Sequence, residues 1–65
     1  MREYSNSQVK AVIDEWIHNE RDRAIIKRRL VDGICFEPLA EEFGLSVRQV
    51  KKIVYKTEEC VFMHL

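Results

Sequence analysis

Little in this chain can build loops. Its 65 residues include two glycines and one proline, which excludes long irregular stretches and points to much helix. No apolar run approaches the roughly 20 residues a membrane span needs. No secretory signal is visible, since Met1–Ser7 is polar and no apolar stretch follows it. A cytoplasmic location is therefore expected. The two cysteines, Cys35 and Cys60, form no CxxC pair, and His18 and His64 stand at no zinc-finger spacing from them. No metal site is expected, and both thiols read as reduced, small apolar groups in the interior. Catalytic constellations are missing too. There is no interpretable pairing of carboxylates, no Ser/His/Asp or Cys/His arrangement and no phosphate-binding glycine loop. A chain this short buries only about 60% of its unfolded surface, which leaves no room for both a large cleft and a supporting core. Neither an enzyme nor a cofactor is expected.

A net charge is also missing: eleven basic and eleven acidic residues cancel. DNA-binding domains often carry a basic excess, so the sum counts mildly against nucleic acid. The distribution says more. Residues 46–57 hold Arg48, Lys51, Lys52 and Lys56 and no acid, while Glu37, Glu41, Glu42, Glu58 and Glu59 lie outside. A local basic face can therefore exist on a neutral protein.

What is present is helical periodicity with clear start signals. Met1–Tyr4 reads as a frayed start. Ser5 and Gln8 form a capping box for a first helix over about residues 6–18. Val9, Val12, Ile13, Trp16 and Ile17 share one face of it, and Trp16, the largest apolar group, reads as a core anchor. Asn19 can cap a second helix, with Glu20 and Asp22 placed well for its dipole. That helix presents Ala24, Ile25, Ile26, Leu30 and Val31 and is stopped by Gly33. Its triplet Lys27, Arg28 and Arg29 reads as a solvated, dipole-compensating end, with phosphate contact as the other reading.

The third helix tolerates Pro38 in its first turn, but Cys35 stands where Ser or Thr would cap better. Leu39, Ala40 and Phe43 make its buried face, and Glu37, Glu41 and Glu42 point outward. Gly44 ends it. Ser46 and Gln49 form a second capping box, and Leu45 can pack on Val50 as a hydrophobic staple. In the fourth helix Val47, Val50, Ile53, Val54, Thr57 and Val61 recur at intervals of three and four, and Arg48, Lys51, Lys52 and Tyr55 share a different face. The helix can run on through residue 62. Its apolar tail of Val61, Phe62, Met63 and Leu65 has two destinations, Trp16 and Ile17 of the first helix or a second copy of the chain.

Residues 36–55 thus meet the steric needs of a helix-turn-helix. Ala40 is small where the helices touch, Gly44 can turn with positive φ, and Leu39, Phe43, Leu45, Val50 and Ile53 join the two helices. The expected fold is all-α, a single four-helix helix-turn-helix domain over residues 1–65 with no sheet.

Residues 20–55, ERDRAIIKRRLVDGICFEPLAEEFGLSVRQVKKIVY, resemble region 4 of bacterial sigma factors and the related LuxR-like DNA-binding domains. The run VDGICFEPLAEEFGLSVRQVKK carries the resemblance, and ERDRAII resembles that family's preceding helix. Pro38, Glu42 and Cys35 depart from its usual residues, and no segment resembles the promoter-opening region. The resemblance implies double-stranded DNA as partner, with Ser46, Arg48, Gln49, Lys51, Lys52 and Tyr55 facing it. It further implies a small transcriptional regulator of the kind found in bacteria and their mobile elements. By residue chemistry, Arg48 would read guanine, Gln49 adenine or a phosphate, and Lys51, Lys52 and Lys56 would neutralise phosphates. The alternative is an interaction module that binds RNA polymerase or another regulator without reading DNA. A homodimer through the C-terminal apolar tail would enlarge a short DNA site.

Overall fold

The computed structural model describes residues 5–65, so the frayed start expected for Met1–Tyr4 lies outside it. Those residues form four helices and, among themselves, no strand: α1 (Asn6–Trp16), α2 (Glu20–Leu30), α3 (Phe36–Phe43) and α4 (Val47–Met63). The all-α expectation holds.

Side-chain chemistry sets most of the helix starts. At Ser5 and at Ser46 the hydroxyl accepts from the amide three residues on, while the Gln8 or Gln49 side chain accepts from the cap amide. Two otherwise orphaned N–H groups are thereby satisfied at each start. Asn19 caps α2 by accepting from the Asp22 amide. Cys35 makes no side-chain cap bond, as expected of a thiol at that position.

α1 stops at Trp16, two residues short of the expected end at His18. Ile17 is extended, at φ −100° and ψ 109°. There it buries its side chain to 7% exposure, and its carbonyl accepts from Arg23 Nε at 3.0 Å. A contact from α2 thus replaces the helical bond that continuation would have supplied. After α2, Gly33 adopts φ 70° and the Ile34 amide closes on the Arg28 carbonyl at 3.1 Å.

The core gathers Ile13, Ile17, Ile25, Ile26, Leu39, Ala40, Val50, Val54 and Val61 from all four helices and the α1–α2 corner. α4 packs on each of the other three helices. It buries Val50, Val54, Thr57 and Val61, and Thr57 satisfies its hydroxyl inside the helix by donating to the Ile53 carbonyl at 2.7 Å. Trp16 is not the core anchor. It remains 43% exposed and stacks flat on His64, ring centroids 3.7 Å apart and planes 3° from parallel. The interior is filled by aliphatic branches, and the indole closes the seam between the ends of α1 and α4.

The basic triplet falls in the last turn of α2, as its dipole favours, but it is more than a solvated end. Lys27 pairs with Asp14 of α1. Arg28 grips Glu42 of α3 through Nε at 3.1 Å and Nη2 at 2.8 Å, and also reaches Asp32 at 3.1 Å. Arg29 lies over the Phe36 ring at 4.6 Å and donates to the Ile34 carbonyl. Lys27 joins α2 to α1, Arg28 to the end of α3, and Arg29 to the start of α3. Glu42, one of the three residues that depart from the resembled pattern, receives Arg28 in a bidentate pair.

These pairs make stability depend on acid in one direction. The hydrogen bond from Lys27 holds the Asp14 carboxyl below its ordinary value. Asp14 therefore stabilises the fold above the unfolded carboxylate value of about 3.9, and that contribution fades as pH falls through the lower folded value. Arg28 is pushed above its already high value, chiefly by the bond to Glu42, and stays charged throughout. Thermal midpoints followed from pH 6 to pH 2 should fall less for Asp14→Asn than for the unchanged protein. Equal acid sensitivity of the two would contradict the pairing.

Candidate nucleic-acid interface

The surface of interest is built by the turn between α3 and α4. Gly44 takes φ 66° and ψ 33°, a left-handed conformation that residues with a Cβ rarely adopt. The Leu45 amide then bonds the Ala40 carbonyl at 2.9 Å. Leu45 itself packs on the core, and the Ser46–Gln49 box starts α4 immediately afterwards. The turn fixes where α4 begins, and the buried stripe on α4 fixes its rotation.

That rotation decides which side chains face outward. At about 100° per residue, Arg48, Lys52 and Tyr55 stand opposite the buried stripe, and all three are exposed. Lys51 and Lys56 lie at opposite edges of the outer face, roughly 140° apart by the same spacing. The structure brings Arg48, Lys51, Lys52 and Tyr55 together over the N-terminal half of α4. Lys56 turns away. It lines a second cleft, about 240 Å³, shared with Trp16, Asn19, Asp22 and Cys60.

Two expected contacts are constrained by the capping box. The Gln49 carbonyl oxygen accepts from the Ser46 amide at 3.0 Å and lies 3.2 Å from the Ser46 hydroxyl. The hydroxyl in turn accepts from the Gln49 amide at 3.1 Å. Bidentate reading of adenine needs both ends of the Gln49 amide, and one end is already engaged. Gln49 keeps only its Nε2 donor for a ligand, which suits a phosphate oxygen. Ser46 is exposed, but its hydroxyl belongs first to the helix start.

Phe36 is the member that periodicity did not identify. It sits half-buried at the first position of α3. Tyr55 meets its ring edge-on at 6.0 Å and 76°, and Lys51 Nζ stands 5.7 Å from its centroid. A groove of about 470 Å³ opens beside it, lined by Cys35, Phe36, Glu37, Pro38, Val47 and Lys51. Cys35 is exposed there, not buried as expected, and Cys60 is half-buried. The helical start of α3 leaves its cap residue at the surface. The sequence signals for Phe36 were an aromatic at a helix start and its place two residues beyond Ile34 in the resembled run after Gly33, whereas its meeting with Lys51 and Tyr55 depends on the return of α4.

Apart from Lys10, exposed on α1 and without an ion pair among the described residues, the described cations fall into two sets. Those of α2 are all engaged: Arg21 approaches Asp22 at 3.5 Å, Arg23 approaches Asp14 at 3.9 Å, and Lys27, Arg28 and Arg29 have the partners given above. Among the described residues, no carboxylate stands within ion-pair distance of Arg48, Lys51, Lys52 or Lys56. One charge in the interior is under-satisfied. Asp22 Oδ1 is sealed from solvent without a hydrogen bond, although Arg21 stands near. Its place in the first turn of α2 lets the helix dipole compensate part of that charge.

No described group of three or more His, Cys, Asp or Glu side chains could hold a metal ion, and no described helix is long and apolar enough to cross a membrane. No protein family, curated protein or solved structure matches the chain.

Proposed function

We propose that the chain is a sequence-specific DNA-binding protein, a small transcriptional regulator in which α3, the turn and α4 act as a helix-turn-helix. The single observation that carries this reading is the asymmetry of its cations. Arg48, Lys51 and Lys52 gather on one exposed face with no carboxylate partner among the described residues, on a protein whose other described arginines are engaged. A cationic face left unneutralised on a neutral molecule suits a polyanion. The resemblance of residues 20–55 to sigma region 4 and LuxR-like domains supports the same reading.

In this reading the N-terminal half of α4 enters the major groove. Arg48 pairs with a guanine, worth about 1–3 kcal/mol of discrimination. Lys51 and Lys52 neutralise phosphates, Gln49 Nε2 donates to the backbone and Tyr55 packs beside it. Lys56, at the far edge, adds only diffuse attraction. Glu59 lies on the outer face farther along α4 and confines the positive region to its first half.

One module of this size contacts few base pairs, and a second copy would extend the site. Phe62 and Met63 are 51% and 76% exposed at the end of α4. They lie about 19 Å along the helix from Val50 at 1.5 Å per residue. Two copies meeting there hold their reading segments within about 38 Å, against the 34–36 Å between half-sites one helical turn apart. The same exposed side chains favour the second reading, a module that docks on RNA polymerase or another regulator.

Titration with mixed-sequence duplex should reveal binding that weakens steeply with salt. Lys52→Ala should weaken all sequences alike and lower the salt slope by about one, whereas Arg48→Ala should relax sequence preference. Absence of salt-sensitive binding at low ionic strength would sink the DNA reading. Sedimentation at high concentration should detect a dimer that Phe62→Glu with Met63→Glu abolishes, and a monomer in the unchanged protein would rule the tail out as the contact.

A further inference from the structure

We infer that Phe36 is a positioning residue for the DNA-facing surface, holding Lys51 in place from outside α4; this rests on the DNA-binding reading above. The ring gathers three polar neighbours that belong to no common helix turn. Arg29 of α2 lies 4.6 Å from its centroid, Lys51 of α4 lies 5.7 Å away, and Tyr55 of α4 meets it edge-on at 6.0 Å.

Burial alone does not account for this arrangement. The fully enclosed side chains are Ile13, Ile25, Ile26, Leu39, Val50, Val54 and Val61, and Phe36 is only half-buried at their edge. Its aromatic character is what the neighbours use. A π-face attracts cations, and an alkyl side chain of the same size would not. Lys51 makes no ion pair among the described residues, Glu37 of the same groove included, and stands on the flank of α4, about 60° round the helix from Arg48. A lysine there would otherwise sample many rotamers. Attraction to Phe36 keeps its ammonium over the groove between α3 and α4, and the edge contact fixes Tyr55 one turn farther on. Arg29 is held against the same ring by its bond to the Ile34 carbonyl at 3.1 Å. Lys52 does not touch the ring and supplies an internal comparison.

The test is a double-mutant cycle on duplex DNA at low salt. Phe36→Met keeps a similar apolar volume without a ring, and Phe36→Tyr keeps the ring. Lys51→Ala should weaken binding by roughly two- to five-fold more in the unchanged protein and in Phe36→Tyr than in Phe36→Met. Lys52→Ala should cost the same factor in all three. Circular dichroism establishes that each variant is folded. Should Phe36→Met not fold, NMR of the unchanged free protein decides: the Lys51 Hε protons should be shifted upfield by the ring, relative to those of Lys52. Equal losses for Lys51→Ala in every background, or unshifted Lys51 protons, would overturn the inference while leaving DNA binding intact. Failure of the unchanged protein to bind any duplex would instead remove the DNA reading, and this role with it.

Discussion

Everything on the outer face of α4 depends on how that helix leaves the turn at Gly44. The constraint there is conformational and not one of space. A Cβ at Gly44 would meet nothing within 4 Å, but φ at 66° is costly for any residue that carries one. Once the left-handed step is made, the Leu45 amide reaches the Ala40 carbonyl, and the Ser46–Gln49 box begins a new helix with its first donors satisfied. Val50, Val54 and Val61 then enter a core to which all the other helices contribute. With that stripe inward, Arg48, Lys52 and Tyr55 have only one direction left.

The charges follow from the same geometry. α2 lies against α1, α3 and α4, so cations along it are within reach of acids on its neighbours. Asp14 and Glu42 serve as cross-links between helices, partly exposed and so individually weak, but spread over two seams. The outer face of α4 has no neighbouring helix and, among the described residues, finds no such partners. Zero net charge therefore coexists with a cationic surface, because neutralisation is local. The count of charges says nothing about which remain available.

Elements governed by neighbours in sequence were legible in advance. Both Ser–Gln capping boxes, the Asn19 cap, the Gly44 turn and the alternation of buried and exposed positions on α4 are local, and each lies where periodicity and cap chemistry place it. Features that depend on distant partners were not. The fate of Lys27 and Arg28 required knowing that Asp14 and Glu42 would stand opposite them. Trp16 reads as core by its size, yet the interior at that end is closed by Ile13 and Ile17, and the indole finds His64 instead. Where Ile17 leaves the helix, its carbonyl is satisfied by Arg23 from α2. On the candidate surface, exposure of Arg48, Lys51, Lys52 and Tyr55 was readable from spacing. The engagement of Gln49 by its own cap and the gathering of side chains around Phe36 were not, since both turn on side-chain competition that periodicity does not encode.

The proposed DNA surface joins the first half of α4 to the start of α3 and leaves out the Trp16–His64 stack at the far end of α4. Amide chemical-shift mapping on addition of a short duplex tests this most directly, because it reports position as well as binding. Perturbations should concentrate at residues 46–55 and at Phe36, with the amides of Trp16, Cys60 and His64 unmoved. Perturbation centred on the Trp16–His64 end, or none along residues 46–55, would contradict it.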